Sequence, residues 1–77
     1  MITEIINIAA ESTKAIAYNS TRQANFGVAP LVQVWQQRDE GKYYLTDVQP
    51  VIDAAPPALS MLSFDFGGAV TGFIVIK

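Results

Sequence analysis

The feature that most constrains the fold is a strict alternation of apolar and polar residues in the last third of the chain. Leu62, Phe64 and Phe66 share one parity, whereas Ser63 and Asp65 share the other. A period of two residues that carries aromatic side chains is typical of a half-buried β-strand. We therefore predict a strand over residues 59–66, with its phenylalanines turned toward a core.

The alternation stops at Gly67 and Gly68 and is followed by a second apolar run. Tandem glycines accept the positive φ of a tight turn without steric strain. Residues 73–76 are apolar at every position and rich in β-branched types, which is typical of a central strand or a covered edge strand. The pattern predicts a β-hairpin, with residues 69–72 in the turn or in a bulge beside it.

The middle of the chain predicts another hairpin. Residues 31–37 place Val32 and Val34 on one face and Trp35 on the other. The polar segment 38–41 ends in glycine and has the composition of a turn. Residues 42–48 then return as the second strand.

The segment between the hairpins contains Pro50, Pro56 and Pro57. Two adjacent prolines cannot lie inside a helix or a central strand, so this segment is predicted to be a loop. Val51 and Ile52 give it one short extended piece.

The first 18 residues are ambiguous. Their apolar positions fit one helical stripe, and they also fit two strands joined at residues 11–14. Local propensities support both alternatives equally. The downstream hairpins need sheet partners, because an isolated hairpin is only marginally stable, and this need favours strands.

These segments together give five to seven short strands, with turn signals about every ten residues. Such spacing is typical of a small antiparallel β-sandwich or a partly open barrel. The predicted fold class is therefore all-β, with residues 1–77 forming a single domain.

Composition indicates that the domain is supported by other protein surfaces. A 77-residue chain has a small core, and this one lacks the cysteines and histidines that usually build disulfides and zinc sites. Hydrophobic residues make up 51% of the chain and charged residues only 16%, too few to cover a small domain well. We expect part of its apolar surface to lie in an interface, which predicts either self-association as a homo-oligomer or docking on a partner.

The sequence offers little for other functions. Its net charge is −2 and its basic residues are scattered, so no nucleic-acid partner is expected. No stretch is long and apolar enough to span a membrane, and residues 1–8 do not resemble a secretory signal. Without histidine, and without carboxylates at metal-loop spacing, we expect no enzyme activity, no cofactor and no metal.

The aromatic side chains are the strongest candidates for a binding surface. Most of the large aromatic side chains must build the core of so small a chain. Trp35, Tyr43, Tyr44 and Phe73 are the residues that we assign to an interface, because tryptophan and tyrosine combine an apolar body with a polar group.

Two segments resemble a pattern found in tailed-phage virion proteins. Residues 26–35 (FGVAPLVQVW) are similar to the entry into small β-domains of fibre and appendage proteins, and residues 64–76 (FDFGGAVTGFIVI) are similar to their closing hairpin. The resemblance covers roughly residues 16–77.

This resemblance implies a β-sandwich module without catalytic residues that assembles on a virion, as a capsid auxiliary or decoration protein or as a tail or fibre component. The implied partners are copies of the chain itself and a larger capsid or tail protein. The implied location is the virion, after synthesis in the host cytoplasm. Two alternatives remain open: a carbohydrate-binding or adhesion β-module, and a small regulator that adds a strand to a partner's sheet.

Overall fold

The computed structural model describes residues 2–77 and confirms the all-β antiparallel fold class. Within these residues, five strands form one sheet and a single short helix lies outside it. The elements are β1 (Glu4–Ala17), α1 (Ser20–Phe26), β2 (Val32–Asp39), β3 (Lys42–Leu45), β4 (Val51–Ile52) and β5 (Met61–Ile76).

Strand β5 is the centre of the sheet. Strand β1 pairs with it along nearly its whole length on one side. On the other side, β2 pairs with the C-terminal half of β5 and β4 pairs with the N-terminal half, while β3 extends the sheet beyond β2. The apolar run at residues 73–76 is therefore a central strand, as its composition predicts.

The predicted hairpin at Gly67 and Gly68 is wrong, because β5 continues through both glycines as one strand. Glu11 of β1 pairs with Val70 of β5, and Thr13 pairs with Asp65. One residue of β1 therefore lies opposite four residues of β5, and residues 66–69 bulge out of the ladder. Bulges and tight turns can both require a residue with positive φ, and glycine adopts it without strain in either. Gly67 has a φ of 77° within the bulge. The middle hairpin is confirmed as β2 and β3, with Gly41 in the turn at a φ of 71°.

The N-terminal segment is also one strand rather than a helix or two separate strands. Its junction, predicted as a turn at residues 11–14, is a bulge in which Ala10 has a φ of 52°. The Ala9 N–H donates to Glu11 Oε1 at 3.1 Å, and the Ala10 N–H donates to Thr71 Oγ1 at 3.2 Å. These bonds satisfy backbone donors that the interrupted ladder leaves free.

The paired bulges let the β1–β5 ribbon double back on itself. Arg22 donates from Nε and Nη2 to the carboxylate of Glu4, at 2.9 and 2.7 Å, and from Nη1 to the carbonyl oxygen of Ala17. Glu4 and Ala17 are the two ends of β1, which a straight strand would hold roughly 40 Å apart. One side chain reaches both, so the two halves of the ribbon face each other as in a small, partly open barrel or sandwich.

The hydrophobic core lies between these two halves. The half that carries β2 and β3 contributes Ile8, Val34, Ile74 and Ile76, and the other half contributes Ile16, Leu62 and Phe64. Tyr18 and Leu59 complete the buried cluster. The predicted inward phenylalanine face of β5 is confirmed, since Phe64 is buried and stacks on Phe66 with ring centroids 6.2 Å apart.

The sequence analysis missed helix α1. Its local signals were present: the Asn19 side chain caps the first turn by accepting a hydrogen bond from the Arg22 N–H, and Gly27 follows the last turn at a φ of 86°. The helix packs Phe26 against the core, and Gln23 Nε2 donates to the Leu59 carbonyl at 3.0 Å. It therefore covers part of the gap that the folded ribbon leaves.

We predict that Gly72→Ala unfolds the sheet where β2 meets β5. A Cβ at Gly72 would lie 1.9 Å from the Trp35 carbonyl oxygen, so the two backbones would have to separate. The free energy of unfolding should fall by about 3 kcal/mol, measured by urea denaturation. Gly68→Ala is the control, because nothing lies within 4 Å of its added Cβ, and it should change stability by less than about 0.5 kcal/mol. Equal effects would contradict the close approach.

A second prediction concerns the Glu4–Arg22 ion pair. The hydrogen bond from Arg22 holds the pKa of Glu4 below its ordinary value, so the pair stabilises the fold above the unfolded-state pKa near 4.5. That contribution is lost as the pH falls through the lowered native pKa. Glu4→Gln should therefore reduce stability at pH 7, by roughly 0.5–1 kcal/mol, and the difference from the parent protein should shrink in acid.

The matched control is Glu40→Gln in the exposed β2–β3 turn, which should change stability at pH 7 by less than about 0.5 kcal/mol. Unfolding monitored by circular dichroism across the acidic range measures both variants. A Glu4→Gln deficit that stays constant down to pH 2 would contradict the ion-pair explanation.

Candidate interaction face

The outward side of the four-stranded half of the sheet forms a continuous surface, which we call the aromatic face. The strand registers place its residues in adjacent rows on β1, β5, β2 and β3. These residues are Ile5, Asn7, Gln33, Trp35, Gln37, Tyr43, Leu45, Phe73 and Val75. The buried neighbours of opposite parity, among them Ile8, Val34, Ile74 and Ile76, point into the core.

An aromatic cluster occupies the centre of this face. Trp35 and Phe73 are direct cross-strand partners, and their rings stack with centroids 6.0 Å apart and planes 17° from parallel. Tyr43 approaches Phe73 from β3 at 5.3 Å with a tilted ring. Such cross-strand aromatic contacts stabilise the sheet and hold the rings in fixed positions.

The structure brings together three of the four residues assigned to an interface. Tyr44 lies elsewhere, because it follows Tyr43 directly in β3 and must point to the opposite side of the sheet. Its ring lies under the guanidinium of Arg38, whose Cζ is 5.5 Å from the ring centroid. Tyr44 therefore belongs to a separate part of the surface.

Exposure on the aromatic face increases from its centre to its edges. Val75 is buried, and Trp35 and Phe73 are half-buried by their neighbours. At the β1 edge Ile5 is 62% exposed, and at the β3 edge Leu45 is 52% exposed. No segment of residues 2–77 packs over these edge residues, so they meet solvent in the isolated chain.

None of the nine positions is charged. Three of them are amides, Asn7, Gln33 and Gln37, which can both donate and accept hydrogen bonds. Charged residues begin only outside the face, at Lys77 beyond Val75 and in the turn beyond Gln37. Aromatic side chains are enriched and charged side chains are depleted at the core of protein interfaces.

The face can bind, but its side chains are poorly suited to catalysis. It holds aromatic rings, aliphatic side chains and amides, and none of these is a nucleophile or a general base near neutral pH. Among residues 2–77, no group of three or more carboxylates, or other metal-ligating side chains, lies close enough together to hold a metal ion.

A shallow groove of about 320 Å³ lies on the outward side of the other half of the ribbon. It is lined by Thr13, Lys14, Ala15, Val51, Ser63, Phe64 and Asp65. Its charged groups already have partners, since Lys14 pairs with Glu11 at 3.2 Å and Asp65 accepts from the Gly67 N–H at 2.9 Å. The groove therefore offers weaker recognition than the aromatic face.

Sequence reasoning missed six members of the face, among them Ile5, Leu45 and Val75. The sequence shows which residues of one strand share a face, and it places Trp35 and Val34 on opposite faces of β2. The register between strands was not, because the pairing of Trp35 with Phe73 depends on the position of β2 along β5.

Comparison with family models, with curated proteins and with solved structures finds no match to this chain. In the part of the chain that the structure describes, no helix is long and apolar enough to cross a membrane.

We predict that the edge of the aromatic face contributes little to folding. Leu45→Lys places a charge on an exposed position and should change the free energy of unfolding by less than about 0.5 kcal/mol. Val34→Ala, on the core side of the neighbouring strand, should lower it by about 2 kcal/mol, because Val34 is fully buried. Urea unfolding followed by circular dichroism measures both. A similar loss in the two variants would show that Leu45 serves the fold rather than a binding surface.

Proposed function

We propose that this protein is a small structural module of a tailed-phage virion, a capsid auxiliary protein or a tail or fibre component, which acts by packing its aromatic face against other virion proteins. The aromatic face supports the docking role, and the resemblance of residues 26–35 and 64–76 to virion β-domains supports the virion setting. The proposal includes no catalytic step.

The observation that carries the docking role is an uncharged surface with an aromatic centre and exposed apolar side chains at its edges. Surface patches that are apolar at the centre and polar at the border commonly mark binding sites. Here the exposed edge residues Ile5, Tyr43 and Leu45 flank the Trp35–Phe73 stack. Docking would remove their apolar surface from water, which favours association.

The composition of the face keeps the desolvation cost of docking low. Burying a charged group without a partner is strongly unfavourable, and none of the nine residues carries a charge. Docking removes hydrogen bonds to water from the amides of Asn7, Gln33 and Gln37. These amides can form hydrogen bonds to a partner instead.

The face is also fixed before any partner arrives. Trp35, Tyr43 and Phe73 lie on paired strands and pack against one another, so docking orders few additional side-chain torsions. A preformed surface retains more of its contact energy as affinity, because less conformational entropy is lost on binding.

A carbohydrate-binding module is the second candidate, and a specific feature favours it. An aromatic cluster bordered by amide side chains can stack on the apolar face of a sugar ring and hydrogen-bond its hydroxyl groups. The face provides this combination in Trp35, Phe73 and the neighbouring Asn7, Gln33 and Gln37. Glycan binding lost on Trp35→Ala would favour this candidate.

The test of the virion role is incorporation into particles. Phage particles that encode this chain are purified by density gradient, and the chain is quantified by mass spectrometry. We expect a fixed ratio to a known structural protein of the particle. Absence of the chain from intact particles would overturn the virion role.

The test of the docking surface uses two variants on one strand. Leu45→Lys places a charge on the aromatic face, and Tyr44→Lys places the same charge on the opposite side at similar exposure, 42% against 52%. We expect Leu45→Lys to lose incorporation at least tenfold and Tyr44→Lys to retain it, provided that circular dichroism shows both folded. Equal incorporation would exclude the aromatic face as the docking surface.

A further inference from the structure

We propose that the larger virion protein contributes an extended segment, which pairs with the free edge of β3 as an additional antiparallel strand. The inference rests on the proposed function and deepens it by naming the form in which the partner binds. The occupant of the edge is an extended backbone whose side chains are uncharged where they adjoin the aromatic face.

The hydrogen-bond register of β3 leaves the backbone groups of two residues free. Among residues 2–77, β3 ends the sheet and pairs only with β2. The Thr46 N–H donates to the Val34 carbonyl at 2.9 Å, so these two residues form a hydrogen-bonded pair. Hydrogen-bonded and non-hydrogen-bonded pairs alternate along an antiparallel ladder. The N–H and C=O groups of Tyr43 and Leu45 therefore point away from β2.

These backbone groups are open to solvent. Every residue of β3 is exposed, and the N–H and C=O groups of Tyr43 and Leu45 have no hydrogen-bond partner within residues 2–77. A row of unpaired donors and acceptors at the edge of a sheet is a template for pairing with another strand.

The opposite edge of the sheet, formed by β1, is interrupted and partly capped. A bulge divides this edge, and the Ala9 N–H there donates to the side chain of Glu11. Farther along, Arg22 donates to the Ala17 carbonyl. Bulges and charged side chains are common means by which proteins prevent pairing at an edge. Residues 43–45 contain no charge and no proline and keep a regular register, so β3 is the edge prepared for a partner.

The spacing of the free groups selects an extended segment as the partner. Tyr43 and Leu45 lie two residues apart along the strand, which corresponds to roughly 7 Å. An antiparallel strand presents its own donors and acceptors at the same interval, and the residue opposite each of the two exchanges both hydrogen bonds with it. A helix cannot supply this pattern, because its backbone groups bond to one another.

The aromatic face restricts the side chains of the added strand. Residues directly opposite Tyr43 and Leu45 would place their side chains on the same face, next to uncharged neighbours. A charge at these positions would be buried without a partner when the face docks, so uncharged, β-branched or aromatic residues are expected there. The residue between them would lie beside Tyr44 on the other side of the sheet, where a polar side chain is accepted.

Hydrogen exchange in purified phage particles tests the pairing directly. In the free chain, the amides of Tyr43 and Leu45 should exchange almost as fast as those of an unstructured peptide, because neither has an acceptor. In particles, both should exchange about tenfold more slowly or slower still, measured by mass spectrometry with fragmentation to single residues. Equally fast exchange of these amides in the free chain and in particles would overturn the proposal.

The amide of Ala15 is the internal control for hydrogen exchange. The Tyr18 N–H donates to the Ser60 carbonyl, so the same alternation directs the Ala15 N–H away from β5 at the free edge of β1. This amide should exchange rapidly in the free chain and in particles.

Proline substitution removes the same donor genetically. Leu45→Pro deletes the outward N–H without breaking a hydrogen bond to β2, and proline is tolerated at such positions of edge strands. Leu45→Ala is the matched control, because it shortens the side chain and keeps the N–H. We expect Leu45→Pro to enter particles about tenfold less than Leu45→Ala, with circular dichroism showing both folded. Ala15→Pro makes the same change at the β1 edge and should be incorporated like the parent chain. Equal incorporation of Leu45→Pro and Leu45→Ala would contradict pairing at β3.

Strand pairing and the docking role fail in different ways. If Leu45→Lys loses incorporation while the Tyr43 and Leu45 amides still exchange rapidly in particles, the aromatic face docks without an added strand and only the pairing is wrong. If the chain is absent from intact particles, the virion role and the pairing are both wrong.

Discussion

The structure depends on the folding back of one long ribbon. Strands β1 and β5 pair along nearly their whole length and form a two-stranded ribbon. Bulges near Ala10 in β1 and Gly67 in β5 turn the two halves of this ribbon toward each other. The same two strands therefore supply both walls of the core, so a 77-residue chain can enclose a cluster of buried side chains without a disulfide. Arg22 holds the folded form by binding Glu4 and the Ala17 carbonyl at opposite ends of β1.

The folded ribbon also explains why one outward surface is broad and the other narrow. Strands β2 and β3 extend only the C-terminal half of β5, whereas the N-terminal half gains the two-residue strand β4. Gly72 permits this extension, because its missing side chain lets the β2 backbone approach at Trp35. The close approach lies next to the Trp35–Phe73 pair, so one backbone requirement fixes both the width of the sheet and its aromatic centre.

Local pattern was sufficient for part of this architecture. Alternation predicted the strand character and inward face of β5, and a polar turn ending in Gly41 predicted the β2–β3 hairpin. Glycine at 67 and 68 was compatible with a turn and with a bulge, and only the pairing with β1 decides between them. The aromatic face was also predictable only in part. Alternation along β3 places Tyr43 and Tyr44 on opposite sides of the sheet, but the pairing of Trp35 with Phe73 depends on the register between β2 and β5, which local sequence does not specify.

The placement of charge links the fold to its proposed use. The chain has five basic and seven acidic residues, and several make ion pairs or cation–π contacts away from the aromatic face, including Glu4 with Arg22 and Arg38 with Tyr44. Charge can therefore steer an encounter only from the border of the face and cannot select a partner at its centre. Selectivity must come from the shape of the fixed aromatic cluster and from amide hydrogen bonds, which operate only at short range. A surface of this kind has a higher occupancy when its partner is held nearby at high effective concentration than when the partner diffuses freely.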